Sequence, residues 1–301
     1  MVGVLAVVSI LASLFVDNFF SWNNLVLSLG LAVTSVGIVA CTMLFCLAAG
    51  DFDLSVGSVV ALAGVTAATA TNATGSSLVG FGTGIAAGGV VGVVNGLVVA
   101  RLGINALIAT LATMQIVRGV GLMVSGGSAV GVSSESFYSL GNSSLLLPTP
   151  VWILAGSLTV FGVLLHSTRF GRNALAIGGN AEAARLAGID VVRTKVVIFT
   201  LQGAMAGLAG VVSASQMTSG QPNTAQGLEL RVIAACVLGG VSLSGGVGSI
   251  RSVIVGVLIL GVAQNVMDLL NVPTFYQYVA SGAILLAAVI LDRVKRAETT
   301  S

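Results

Sequence analysis

The chain has 301 residues, of which 56% are hydrophobic and only 7% charged, with a net charge of +2; its mean hydropathy is +1.07. A soluble domain of this size carries roughly a quarter charged residues, so most of this surface faces lipid. In hydrocarbon only α-helices and closed barrels satisfy the backbone, and the long unbroken apolar runs exclude the two-residue alternation of a barrel.

A spanning helix needs about 20 mostly apolar residues. The runs predict about ten spans, at 2–16, 25–49, 54–70, 77–100, 105–125, 151–165, 196–216, 229–241, 252–267 and 275–291, in one all-α transmembrane domain covering 1–301. The first run begins at Met1 and is short; lacking a basic leader and an obvious small-residue cleavage site, it does not read as a signal peptide. The run at 229–241 is also short and reads equally as a re-entrant or tilted element.

Between the second and third spans lies GDFDLSVGS, with Asp51, Asp53 and Ser55. A carboxylate at membrane depth costs about 2.5–3.5 kcal/mol. Either these acids sit in a solvated turn, or Gly50 and Gly57 flank a broken helix that shapes the translocation path. A second break, GGVSLSGGVGS at 239–249, shares its Leu-Ser and Gly-Ser core. In the fourth span Gly80, Gly84, Gly88, Gly92 and Gly96 recur every four residues. This small-residue ridge lets helix backbones approach closely, for static packing or for sliding during gating. Asn95, Asn105 and Gln115 either line a polar conduit or bond between helices. Arg118, in the fifth span, either snorkels or pairs with Asp268 or Glu229.

Of the twelve basic residues, ten fall on one side of a ten-span topology: Arg101, Arg169, Arg172, Arg185, Arg193, Lys195, Arg251, Arg293, Lys295 and Arg296. Positive residues mark the cytoplasmic side, so both termini are expected there, as are the loop 167–195 and the basic tail 292–301. Within that loop, Gly178 and Gly179 precede a short helix. Asn180 caps it, Ala181, Glu182, Ala183, Ala184, Arg185 and Leu186 favour helix, and Gly188 stops it. Glu182 lies in the first turn, where the helix dipole favours an acid. So short a helix is not stable alone. Its apolar face is too small for a membrane-surface helix, so its expected partner is another protein. Two connections on the opposite side, 126–150 and 217–228, suggest a further partner there.

Several chemistries are unsupported. There is no GxxxxGK[ST] phosphate loop and there are only two lysines, Lys195 and Lys295, so ATP is not handled by this chain. His166 is the single histidine and has no metal-ligand spacing, no GxSxG elbow occurs, and Cys41, Cys46 and Cys236 lie in apolar runs as small buried thiols. Neither a metal, a cofactor nor nucleic acid is expected.

The segments GDFDLSVGSVVALAG, INALIATLATMQIVRG, FGRNALAIGGNAEAARLAGIDV, MTSGQPNTAQGLEL and CVLGGVSLSGGVGSI together resemble the permease subunits of bacterial ATP-binding cassette (ABC) monosaccharide importers, the ribose/arabinose/galactose group. FDLSV, MQIVRG and GGNAEAARLAGIDVVRTK are most similar to its arabinose branch. The resemblance implies an inner-membrane homodimer, a separate cytoplasmic ATPase docking on the Asn180–Gly188 segment, and a periplasmic sugar-binding protein on the other face. The competing expectations are an ion-coupled secondary sugar transporter, which needs a titrating acid near the midplane, and an intramembrane enzyme, which lacks a nucleophile–base pair here.

Overall fold

A computed structural model describes the backbone of residues 1–300 and their side chains apart from 288, 289 and 291–300. The expected basic tail, 292–301, falls outside the residues whose side chains are described. The helices in chain order are α1 (Val2–Phe15), α2 (Asn23–Ala32, π-helical over its first seven residues), α3 (Thr34–Ala48), α4 (Val56–Thr74), α5 (Ser77–Ala100), α6 (Ala106–Ser125) and α7 (Glu135–Asn142). They continue as α8 (Thr149–Ser167), α9 (Arg169–Gly179), α10 (Ala181–Leu186), α11 (Val191–Gln216), α12 (Leu228–Gly239), α13 (Ile250–Leu269) and α14 (Thr274–Thr300). Four two-residue strands, β1 (Val130–Gly131), β2 (Ser144–Leu145), β3 (Leu147–Pro148) and β4 (Ser219–Gly220), pair antiparallel as β1–β4 and β2–β3.

Six helices (α4, α5, α6, α8, α11 and α13) are long and apolar enough to cross a membrane, and α2 with α3 adds a seventh if their 48° bend lies within one span. The three other predicted spans fall on α1, α12 and α14, of which α1 has 14 residues and α12 only 12. Among the described residues, length and composition support the all-α multi-pass architecture and leave the count of about ten unconfirmed.

The core centres on α3, which is buried without interruption from Gly37 to Ala48. Bulky residues such as Met43, Leu44 and Phe45 fill the space between it and α8, α11, α12 and α13. Around α5 the packing is of the opposite kind. A Cβ on Gly88 would strike the carbonyl of Gly203, and a Cβ on Gly203 the carbonyl of Gly88. Gly92 lies against the Phe199 carbonyl, Gly96 against Val196, and Gly84 against Val211 and Ala63. The four-residue ridge thus seats α5 in a groove between α4 and α11, with backbones touching. The start of α2 is tied to α13 by Asn24, whose amide exchanges two 2.8 Å hydrogen bonds with that of Asn265; both residues are buried.

The 126–150 connection is more ordered than its Ser and Gly content suggests. Phe137 of α7 is fully buried against Val211 and Ala214. Ser215 at the end of α11 accepts a hydrogen bond from the Gly141 amide at 2.6 Å and donates one to the Phe137 carbonyl at 2.5 Å.

The 217–228 connection enters the bundle. Gly220 packs on Gly64 and Val65 of α4, whereas the Ala225 carbonyl and Glu229 pack on Gly57. Seven residues of α4 separate those levels, about 10 Å at 1.5 Å per residue. The chain therefore descends alongside α4 before α12 begins. Arg118 of α6 secures the descent: its Nη1 donates to the carbonyls of Pro222 at 2.8 Å and Thr224 at 2.9 Å. Among the described residues it forms no ion pair with Asp268 or Glu229 within 4.0 Å.

Candidate functional site: the basic end and its capped helix

Three chain segments meet at the end of the bundle that carries Arg169, Arg172, Arg185, Arg193 and Lys195: the linker 49–55, the α9–α10 pair and the loop 240–249. The α9 helix was not expected, because its apolar face is short. Thr168 starts it by accepting from the Gly171 amide at 3.3 Å, and Ala174 and Ile177 bury into the core.

The α10 helix follows its sequence signals. Asn180 Oδ1 accepts from the Ala183 amide at 2.9 Å. At the other end Gly188 adopts φ +84°, so that the Ile189 amide reaches the Ala184 carbonyl and the Gly188 amide that of Arg185, both at 3.0 Å. This double closure satisfies the last carbonyls of the helix. Ala184 faces the core, whereas Glu182 and Arg185 lie 3.9 Å apart on the exposed side and Leu186 is 81% exposed. The result is a capped knob, anchored by one alanine and presenting an acid, a base and an apolar side chain.

Behind the knob the segments touch through glycine backbone. Gly178 lies against the Ala48 carbonyl and the Gly246 amide, and Gly245 against Gly178; the Gly246 amide donates to Ala48 at 2.9 Å. The end of α9 is thus wedged between the end of α3 and the loop leading into α13. Gly179, its neighbour, has open space where a Cβ would go. Lys195, in the first turns of α11, adds an ion pair with Asp51 at 2.8 Å.

The acids of the linker are not solvated: Asp51 is 7% and Asp53 1% exposed, which removes the solvated-turn expectation. Asp53 accepts from the Ser55 amide at 2.9 Å and hydroxyl at 2.6 Å, and Asn95 of α5 donates to Ser55 Oγ at 2.9 Å. The Leu54 amide donates to Thr110 of α6 at 3.1 Å. Burial raises both carboxyls above their usual range. The Lys195 ammonium opposes the rise at Asp51, and hydrogen bonds from Ser55 and Asn95 oppose it at Asp53.

Asp53, Ser55 and Asn95 therefore form one buried network, as polar residues brought together at depth. Asn105 and Gln115 do not join it. Asn105 is an exposed N-cap, accepting from the amides of Leu107 and Ile108, and Gln115 lies on an exposed face of α6. Three polar residues escaped the sequence reading: Asn24, Asn265 and Gln202. Gln202 is fully buried in α11, and neither end of its amide has a hydrogen-bond partner. The available signal was a lone amide within an apolar run. No group of three or more potential metal ligands occurs among the described residues.

Comparison with known proteins places this architecture. The chain is 57% identical over 297 residues to the L-arabinose transport system permease protein AraH of Escherichia coli (strain K12), covering 98% of this chain and 90% of that one. It is 52% identical over 285 residues, 94% of this chain and 84% of the other, to the L-arabinose ABC transporter permease protein AraH of Azospirillum brasilense. It is 38% identical over 303 residues, 98% and 93%, to the ribose import permease protein RbsC of Escherichia coli (strain K12). No solved structure matches significantly. Residues 25–289 match the family model described as branched-chain amino acid transport system / permease component, and with that match and these near-full-length relatives the chain belongs to this family of membrane permeases.

Proposed function

We propose that this chain is the membrane-spanning subunit of an ABC importer that carries a monosaccharide, L-arabinose, from periplasm to cytoplasm. The identity of 57% across nearly the whole chain to an L-arabinose permease, against 38% to a ribose permease, supports the arabinose assignment. In this reading α1, the bent α2–α3 pair, α4, α5, α6, α8, α11, α12, α13 and α14 supply ten membrane-embedded elements with both termini cytoplasmic. A separate ATPase hydrolyses ATP and docks on Gly178–Gly188. Glu182, Arg185 and Leu186 make the contact, Asn180, Ala183 and Ala184 hold the helix in shape, and Gly178 passes displacement to α3 and the 240–249 loop. A periplasmic binding protein delivers sugar on the opposite face, and two copies of the chain assemble. The Asp53–Ser55–Asn95 network braces the gate.

An ion-coupled secondary transporter is less well supported, because Asp51 is paired and Asp53 is sealed at the basic end. Co-reconstitution with the arabinose ATPase and binding protein tests the proposal. ATP-dependent uptake of labelled L-arabinose, well above ribose, xylose or galactose, is expected. Preference for another sugar reassigns the substrate, and uptake driven by membrane potential without the ATPase overturns the importer reading.

A further inference from the structure

We propose that the paired face of α5 and α11 binds an anionic phospholipid whose phosphate is held by Arg101 and Arg193; the inference goes beyond transport and needs only that the chain is embedded in a membrane. The two helices run antiparallel in backbone contact, with Gly88 against Gly203, Gly92 against Phe199 and Gly96 against Val196. Arg101 lies beyond Gly96 on α5, and Arg193 lies before Val196 on α11. At about 1.5 Å per residue both are displaced toward the basic end, to levels only about 3 Å apart. Their direction follows from the turn of about 100° per residue. Arg101 is rotated about 140° from Gly96 and Arg193 about 60° from Val196. Because the helices are antiparallel, both rotations lead to the same side of the pair. Asn95 and Lys195, each rotated about 100° the other way, mark the opposite side: they reach Ser55 and Asp51 of the 49–55 linker. The two arginines therefore share the outward side, and both are exposed there.

That side is apolar along its length. Val90, Val93 and Leu97 of α5 and Val197 of α11 are all exposed, on the membrane side of the two guanidinium groups. Cations at one end of an apolar strip match a phospholipid, whose phosphate stands at the membrane surface and whose acyl chains run into hydrocarbon. Charge complementarity selects an anionic headgroup over a zwitterionic one, since basic clusters beside membrane helices attract acidic lipids. A guanidinium also presents a planar fork of donors that suits phosphate oxygens. Both forks are free for it. Among the described residues Arg101 and Arg193 form no side-chain hydrogen bond or ion pair, whereas Arg118 is committed to two carbonyls and Lys195 to Asp51. The acid nearest to Arg193 along the chain, Asp190, is occupied as the cap of α11, accepting from the Arg193 backbone amide at 2.9 Å.

Native mass spectrometry of the purified full chain in neutral detergent, titrated with phosphatidylglycerol, phosphatidylcholine or inorganic phosphate, tests the proposal. The parent is expected to bind phosphatidylglycerol about tenfold or more tightly than phosphatidylcholine, and equimolar inorganic phosphate is expected not to displace it. A basic residue near the membrane surface contributes about fivefold in affinity for an acidic lipid. Arg101→Gln or Arg193→Gln alone is therefore expected to weaken phosphatidylglycerol binding about fivefold, and the double variant about tenfold or more. Arg101→Lys with Arg193→Lys keeps both charges and is expected to retain most of the binding. Arg172→Gln with Arg251→Gln removes the same charge from exposed positions elsewhere at the basic end and is expected to bind within about twofold of the parent. Equal weakening by the two Gln pairs would show that net charge, and not this face, attracts the lipid, and overturns the site. Displacement by inorganic phosphate overturns the lipid as its occupant. Unchanged phosphatidylglycerol binding by the first pair also overturns the proposal, and loss of a second copy or of the ATPase from that variant would then make the face a protein interface. Binding is read without ATP, sugar or the ATPase, so its failure leaves the transport reading untouched.

Discussion

Asp51 and Lys195 are far apart in sequence, and each is legible alone as a scarce charge near a membrane edge. Their 2.8 Å contact is not, because long-range pairing leaves no trace in local pattern. The same limit applies to Asn95: its polarity at depth marked it, but only the fold shows that it donates to Ser55 rather than facing a conduit. Asn105 carries the same side chain and serves as a helix cap. Breaking one partner of a buried ion pair costs more than removing both, since a lone desolvated charge remains. The pair keeps 19% and 10% side-chain exposure, so partial hydration discounts the usual penalty to about 1–3 kcal/mol for Lys195→Met or Asp51→Leu alone. The double variant is expected closer to the parent than either single one. A thermal-unfolding cycle in detergent measures this, and additive losses would dissolve the pair as a structural link.

Helices reveal themselves unevenly in this sequence. The period of four in α5 marks a close-packing face, but its partner, centred on Gly203, lies in a helix of much weaker pattern. The α10 helix is readable to its ends, because Asn180 and Gly188 are local signals that need no tertiary context. By contrast α9 and α7 have too few apolar positions to stand out, and tertiary burial of Ile177 and Phe137 decides them. The exposed side of α10 allows docking to be separated from folding. Glu182→Arg places a second cation beside Arg185 and reverses the charge at a helix N-terminus, costing only about 0.3–1 kcal/mol at an exposed site. Gly188→Pro is harsher, since proline can neither adopt φ +84° nor donate to Arg185. Both variants are expected to insert and to bind the binding protein, with ATP-dependent uptake severalfold lower. Normal uptake by Glu182→Arg together with Gly188→Pro would leave α10 without a docking role.

Across the whole molecule, membrane class and the positions of the apolar helices follow from composition and run length. What composition cannot convey is that three distant breaks in the chain converge at one point. Gly178 is where they do, with the Ala48 carbonyl and Gly246 amide filling the place of a side chain. In the proposed reading, a stroke delivered to α9–α10 meets no compliant side chain there and passes to α3 and, through the 240–249 loop, to α12 and α13. Gly178→Ala forces those backbones apart, at about 1–3 kcal/mol for overpacking a tight site. Gly179→Ala, one residue on, meets open space and controls for helix propensity and expression. In the assembled importer Gly178→Ala is expected to retain sugar-independent ATP hydrolysis while uptake falls at least fivefold; Gly179→Ala is expected to match the parent in both. Equal uptake by the two variants would mean that backbone contact at Gly178 does not carry the motion, leaving the Phe45–Phe170 stack and the Asp51–Lys195 pair as the other links between the loop 167–195 and the end of α3.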